Sequence, residues 1–124
     1  MRLIIGGAYQ GKLEFTINKY QKRVIADGKV CTLDDTYSCE VLNNFQTLIK
    51  RFFTTLEDFN DYLNILLDRN PNVIIVSTEV GCGIVPIDDY DRNYRELIGR
   101  ICCEVSKCAK SVERVFCGLG VTLK

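Results

Sequence analysis

Arg2-Leu3-Ile4-Ile5-Gly6-Gly7-Ala8-Tyr9-Gln10-Gly11-Lys12-Leu13 decides how the rest of the chain is read. The short apolar run predicts a buried strand, the glycines a tight loop, and Lys12 to about Tyr20 a helix. Glycines at Gly6 and Gly11 let the backbone curl until its N–H groups face a nucleotide's phosphates, and Lys12 adds a cation near the terminal phosphates. Gly6, Gly7, Ala8, Tyr9, Gln10, Gly11, Lys12 and Leu13 are therefore the expected nucleotide-binding residues. The last place departs from the phosphate-loop pattern. Leu13 stands where Ser or Thr would ligate Mg²⁺, and its side chain has no donor atom, so the metal site is weakened. A glycine turn that merely joins strand to helix is the competing reading.

Working outward, Val24-Ile25-Ala26 reads as a second strand ending in the turn Asp27-Gly28, and residues 31–40 as loop. From Val41 to Phe53, Leu42, Phe45, Leu48, Ile49 and Phe52 recur at helical spacing. Thr54 or Thr55 caps a further helix whose apolar set is Phe59, Tyr62, Leu63, Leu66 and Leu67, and Asn70-Pro71 ends it. Val73-Ile74-Ile75-Val76-Ser77 has no alternation and suits a central parallel strand covered on both faces. Residues 80–89, with Gly81, Gly83 and Pro86, read as loop. Tyr90, Tyr94, Leu97, Ile98, Ile101, Val105 and Cys108 form the stripe of a long helix, with Arg92, Glu96, Arg100, Glu104 and Lys107 mainly opposite. Val112–Cys117 and Val121–Leu123 read as closing strands around Gly118-Leu119-Gly120.

Strands alternating with helices predict one α/β domain over residues 1–124, a mostly parallel sheet with helices on both faces. Ligands in such folds sit beyond the carboxyl ends of the strands. The glycine loop, Asp27-Gly28 and Thr78-Glu79 are expected to meet there. Glu79 is placed to hold Mg²⁺ through water or to take a proton from a substrate hydroxyl, or else only to cap the loop behind it. Asp27 with Gly28 is a further nucleotide-binding candidate on the same rim, or Asp27 is a simple turn residue. Arg92 and Arg95, with Arg100, are a candidate phosphate clamp or a solvated helix face.

Sixteen basic and sixteen acidic residues balance to zero formal charge, so no basic field gathers nucleic acid or an anionic membrane. No apolar run spans a bilayer and no leader is visible, which points to the cytoplasm. Seven cysteines without a C-x-x-C pair, in a chain with no histidine, offer no zinc spacing and read as reduced, mostly buried thiols.

Val76-Ser77-Thr78-Glu79-Val80-Gly81-Cys82-Gly83-Ile84-Val85-Pro86 resembles the V-[ST]-x-E-V-G-x-G-I-V-P signature of the CobU-type adenosylcobinamide kinase/adenosylcobinamide-phosphate guanylyltransferase family. Arg92, Arg95, Gly99 and Arg100 match its R-x-x-R-x-x-x-G-R. The ending from Cys117 to Lys124 is similar to its closing segment, and Gly6-Gly7-Ala8-x-x-Gly11-Lys12 resembles its G-G-A-R-S-G-K-S. The resemblance implies a RecA-like P-loop domain of three layers, acting in cobalamin assembly and often trimeric. It implies ATP or GTP with Mg²⁺ as cofactors, a corrinoid as substrate, and Lys12 and Glu79 as catalytic residues. Leu13, the pair Tyr9-Gln10 and a shortened middle without histidine depart from the pattern. With no histidine to carry a guanylyl group, the expectation is an adenosylcobinamide kinase without that second step. The alternative is a non-catalytic nucleotide- or corrinoid-binding homologue acting as sensor or partner subunit.

Overall fold

The computed structural model describes residues 1–79 and 89–124. The sequence-predicted loop at 80–89 and the Val80–Pro86 part of the family signature lie outside the described residues, apart from residue 89, which opens a helix. Arg2–Gly6 forms β1, with Leu3 and Ile4 buried on opposite faces. Lys12–Tyr20 forms α1, Ile25–Asp27 β2 and Val41–Asn43 β3. Phe45–Phe52 is α2, Leu56–Arg69 α3, Ile74–Thr78 β4 and Asp89–Cys108 α4, and the chain closes with β5 (Ser111–Phe116) and β6 (Leu119–Thr122).

The described strands make one sheet in the order β2-β3-β4-β1-β5-β6. Every neighbouring pair is parallel except β5 with β6. β1 lies at the centre, its Ile4 in register with Val76 of β4 and Glu113 of β5. Alternation along the strands divides the core. One face carries Ile4, Val41, Ile74, Val76 and Val115, covered by Leu13, Phe15 and Tyr20 of α1. The other carries Leu3, Leu42, Ile75 and Val112 against residues of α2, α3 and α4. Helices on both faces give the three layers, and the sheet is the mostly parallel one expected. The crossover through α1 moves the chain one way along the sheet and that through α4 moves it the other, on the opposite face. Opposite travel on opposite faces gives the two crossovers the same hand and parts the chain at the carboxyl end of β1.

Three local expectations are corrected. Val41-Leu42-Asn43 is a strand, because each of Val41 and Leu42 is fully buried on a different face and pairs with β2 and β4. Asn44, in the left-handed region at φ 54°, then turns the chain into α2. Helical spacing included Leu42 and Phe52 by coincidence: Phe52 is 42% exposed, and the extended Phe53 is the buried ring. Phe53 packs on Phe59 and Tyr62 at centroid distances of 5.5 and 5.2 Å. In the closing hairpin Leu119 and Gly120 belong to β6, and the reversal is at Cys117 and Gly118, both at positive φ. Thr55 caps α3 as expected, its hydroxyl accepting from the Asp58 amide at 3.1 Å. Cys31 and Cys39 are buried as expected, whereas Cys103, Cys108 and Cys117 are exposed.

Candidate functional site

The glycine loop follows β1 at the carboxyl end of the sheet and is tied down on both sides. The Glu79 amide donates to the Gly6 carbonyl at 2.8 Å, joining the loop to the exit of β4. Across the loop, Gln10 holds the β5–β6 reversal: its side-chain oxygen accepts from the Cys117 amide at 2.7 Å and its carbonyl from Gly118 at 2.9 Å. Gln10 thus has a structural task that explains its presence. Gly6 is obligatory on steric grounds, since a Cβ there would lie 2.6 Å from the Val115 carbonyl oxygen. Gly11 takes φ +80° to start α1. Gly7 borders the curl, while Ala8 and the fully exposed Tyr9 form its outer lip, Tyr9 also at positive φ. Tyr9 does not plug the loop.

Lys12 reaches back into the curl, its Nζ donating to the Gly7 carbonyl at 2.8 Å. Burial lowers its pKa, and the nearby Glu79 carboxylate opposes that shift. An ammonium has three N–H donors and one is used here, beside the first-turn amides of α1, which carry the helix's partial positive charge. Helix-start amides and a neighbouring ammonium are donors of the kind that suit an anion.

Leu13 turns its side chain into the apolar cluster under α1. Thr16, the next hydroxyl along the helix, is fully buried and donates to the Lys12 carbonyl at 2.8 Å. Glu79 is gripped by Arg114, with Nε 3.0 Å from Oε1 and a terminal nitrogen 3.0 Å from Oε2. Among the described residues no group of three or more His, Cys, Asp or Glu side chains could hold a metal ion. Leu13 offers no donor to a loop-held Mg²⁺, and the Glu79 carboxylate is paired with a guanidinium. Arg114 escaped the sequence reading. The signal was there: Glu113-Arg114 puts two charges inside an otherwise apolar strand.

Asp27 and Gly28 share the rim but not the site. β2 is three strands from β1, about 14 Å at the usual inter-strand spacing. The Asp27 Oδ1 accepts from Asn44 Nδ2 at 2.9 Å and from the Lys29 amide at 3.0 Å, contacts that hold its carboxyl below the usual range. A Cβ on Gly28 would come 2.3 Å from the Asn44 carbonyl oxygen. Both residues therefore shape the entry to α2 rather than the phosphate cradle. Arg92 and Arg95 lie in the first turns of α4, on the rim side; Arg92 is exposed and Arg95 half-buried. Arg100 pairs with Glu96 at 3.5 Å on an exposed face.

A cleft of about 140 Å³ opens beside Glu79, between the ends of β1 and β4 and helix α4. Among the described residues, Ile5, Ser77, Thr78, Ile98, Gly99 and Cys102 also line it.

Residues 26–123 match the model of the family described as cobinamide kinase / cobinamide phosphate guanyltransferase. The glycine loop at 6–13 precedes the matched stretch. The chain is also 38% identical over 52 residues to proteins of Escherichia coli K12 and of Salmonella typhimurium LT2, each named bifunctional adenosylcobalamin biosynthesis protein CobU. Those alignments cover 42% of this chain and 29% of each relative, so the chain matches under a third of the relatives' length. With a parallel sheet, a glycine loop at its central strand and a family match over most of its residues, this chain belongs to the cobinamide kinase / cobinamide phosphate guanyltransferase family.

Proposed function

We propose that this chain acts in cobalamin biosynthesis, binding ATP or GTP in the loop at residues 6–13 and transferring its γ-phosphoryl group to the aminopropanol hydroxyl of adenosylcobinamide. The observation that carries this reading is the convergence of Lys12, the first-turn amides of α1 and Glu79 at the carboxyl end of β1. Phosphoryl transfer requires mostly positioning and charge stabilisation, which such a cradle supplies. The acceptor oxygen attacks the γ-phosphorus, and the bond from that phosphorus to the β–γ bridging oxygen breaks. The nucleoside diphosphate departs with the electron pair, and the hydroxyl proton passes to the Glu79 carboxylate. Lys12 offsets the charge gathering on the bridging oxygen, and Arg114 holds the Glu79 carboxylate in place. Mg²⁺, when bound to the nucleotide, would add charge neutralisation, but no residue at Leu13 anchors it.

The family's guanylyl transfer through a histidine has no carrier in this chain, which contains none. A second reading, a binding-only sensor or partner subunit, is favoured by Leu13 and by the Arg114 grip on Glu79. The exposed apolar side chains Phe116, Leu119, Val121 and Leu123 on the closing hairpin support assembly into a homo-oligomer, a trimer by family analogy. Incubation with γ-labelled ATP or GTP, Mg²⁺ and adenosylcobinamide separates the two readings. Labelled adenosylcobinamide phosphate is the expected product, and bound nucleotide without product would leave only the binding role.

A further inference from the structure

One face of the closing hairpin is left uncovered by the described residues. Arg114 stands opposite Val121 and Phe116 opposite Leu119, so strand alternation puts all four side chains on that face. The other face is occupied: Lys19 and Tyr20 of α1 donate to Glu113, and Gly120 lies under the Phe15 ring. Val112 shares the first face and is buried with the helices, but Phe116, Leu119 and Val121 are 62, 71 and 54% exposed. Leu123, just past β6, is 57% exposed.

Area and charge narrow what covers it. The four apolar side chains uncover on the order of 400 Å² of surface, the scale at which a patch marks an interface rather than scatter. A stable interface takes roughly 800 Å² from each partner, a little over half of it apolar, so this patch fits the core of one. A second copy of the chain is the partner that charge favours. Formal charge is zero, so no net repulsion opposes self-association. Arg114, the charge on this face, is already paired with Glu79 at 3.0 Å, so covering the patch leaves that guanidinium matched.

The same hairpin is fastened to the glycine loop. Gln10 accepts from the Cys117 amide at 2.7 Å through its side chain and from the Gly118 amide at 2.9 Å through its carbonyl. A Cβ on Gly11 would already touch Gly118 Cα at 3.6 Å, and one on Gly6 would strike the Val115 carbonyl. Loop and hairpin therefore keep one position together. A contact that fixes the hairpin also fixes the loop whose amides would face the phosphates.

We propose that the face formed by Phe116, Leu119 and Val121 docks a second copy of this chain, and that docking, carried through Gln10, tightens nucleotide binding in the loop. The inference rests on the nucleotide-binding reading for its ligand, but not for the association itself. A loop already held in place loses less freedom when it orders around phosphates, which makes the coupling positive. Linkage is reciprocal: nucleotide tightens association by the same factor by which association tightens nucleotide.

The test is sedimentation velocity of the whole chain from about 1 to about 200 μM, with and without about 1 mM ATP or GTP, beside calorimetric nucleotide titration at the upper concentration. The expected result is a mass that rises above the monomer with concentration, the midpoint falling about 5-fold or more when nucleotide is present. Leu119→Glu should stay monomeric, keep its thermal unfolding transition and bind nucleotide about 5-fold or more weakly than the associated wild type. Leu119→Gln serves if that variant does not fold. Gln10→Ala should still associate, but nucleotide should no longer shift its midpoint. A wild type monomeric throughout would give the face to another partner and overturn the proposal. Association untouched by the Leu119 variants, or a nucleotide-dependent midpoint retained in Gln10→Ala, would overturn it as well. Nucleotide bound with an unshifted midpoint removes the linkage alone, whereas no nucleotide bound at any concentration removes the nucleotide-binding reading with it.

Discussion

Leu13→Ser tests the physical meaning of the altered loop from two directions. In the wild type the isobutyl group is half-buried against Ile4, Val41, Ile74, Val76 and Val115. Complete burial of a leucine contributes about 1.5–3 kcal/mol, so a half-buried one replaced by a small polar side chain should destabilise the fold by about 1–2 kcal/mol. For a chain of this length that is a fall in Tm of roughly 3–8 °C. The same change places a hydroxyl at the first turn of α1, where a metal bridging the β- and γ-phosphates can use it. Calorimetric titration with ATP and GTP, in Mg²⁺ and in a chelator, reads the second effect; thermal unfolding reads the first. Wild-type affinity should differ between the two media by about 3-fold or less, whereas the variant should gain about 10-fold with Mg²⁺, a difference of about 1.4 kcal/mol. A wild type already tightened 10-fold or more by Mg²⁺ would refute the reasoning, because another group would then be holding the metal.

Other perturbations follow from named contacts. Lys12→Ala removes a charge-assisted donor worth about 1.5–3 kcal/mol, so nucleotide affinity should fall roughly 10- to 150-fold while unfolding in urea shows only a minor stability loss. Gly6→Ala forces a Cβ to within 2.6 Å of the Val115 carbonyl; displacement of the loop should cost about 1–3 kcal/mol and weaken nucleotide binding together with stability. Glu113 is 3% exposed; burial raises its pKa, but the Lys19 and Tyr20 hydrogen bonds outweigh that and hold its carboxyl below the ordinary value. A depressed carboxyl stabilises the fold above the ordinary glutamate range and ceases to do so as pH falls through the folded value. Glu113→Gln should therefore lose about 1–3 kcal/mol at neutral pH and show a flatter acid limb in denaturant unfolding measured against pH.

The long-range frame was legible because each decisive segment carries an unambiguous pattern. Val73 to Ser77 lacks alternation as a doubly covered strand must, and Thr55 with Asn70-Pro71 brackets α3 by cap and breaker chemistry. β3 was not legible: three residues are too few to show a period, and Leu42 falls by chance in phase with α2. The site was legible where it is local in sequence, in the glycines and Lys12. Strand order was not readable from local pattern, so Asp27, on the same rim, was grouped with a loop three strands away. Arg114 meets Glu79 only because β4 and β5 flank β1. No spacing in the chain announces such a meeting.

The most direct measurement is calorimetric titration of the unmodified chain with ATP and GTP, run beside Lys12→Ala. The account predicts one saturable site at micromolar to sub-millimolar affinity, a rise in Tm with nucleotide concentration, and loss of both in the variant. Absence of heat and thermal shift at millimolar nucleotide, or equal binding by Lys12→Ala, would contradict it.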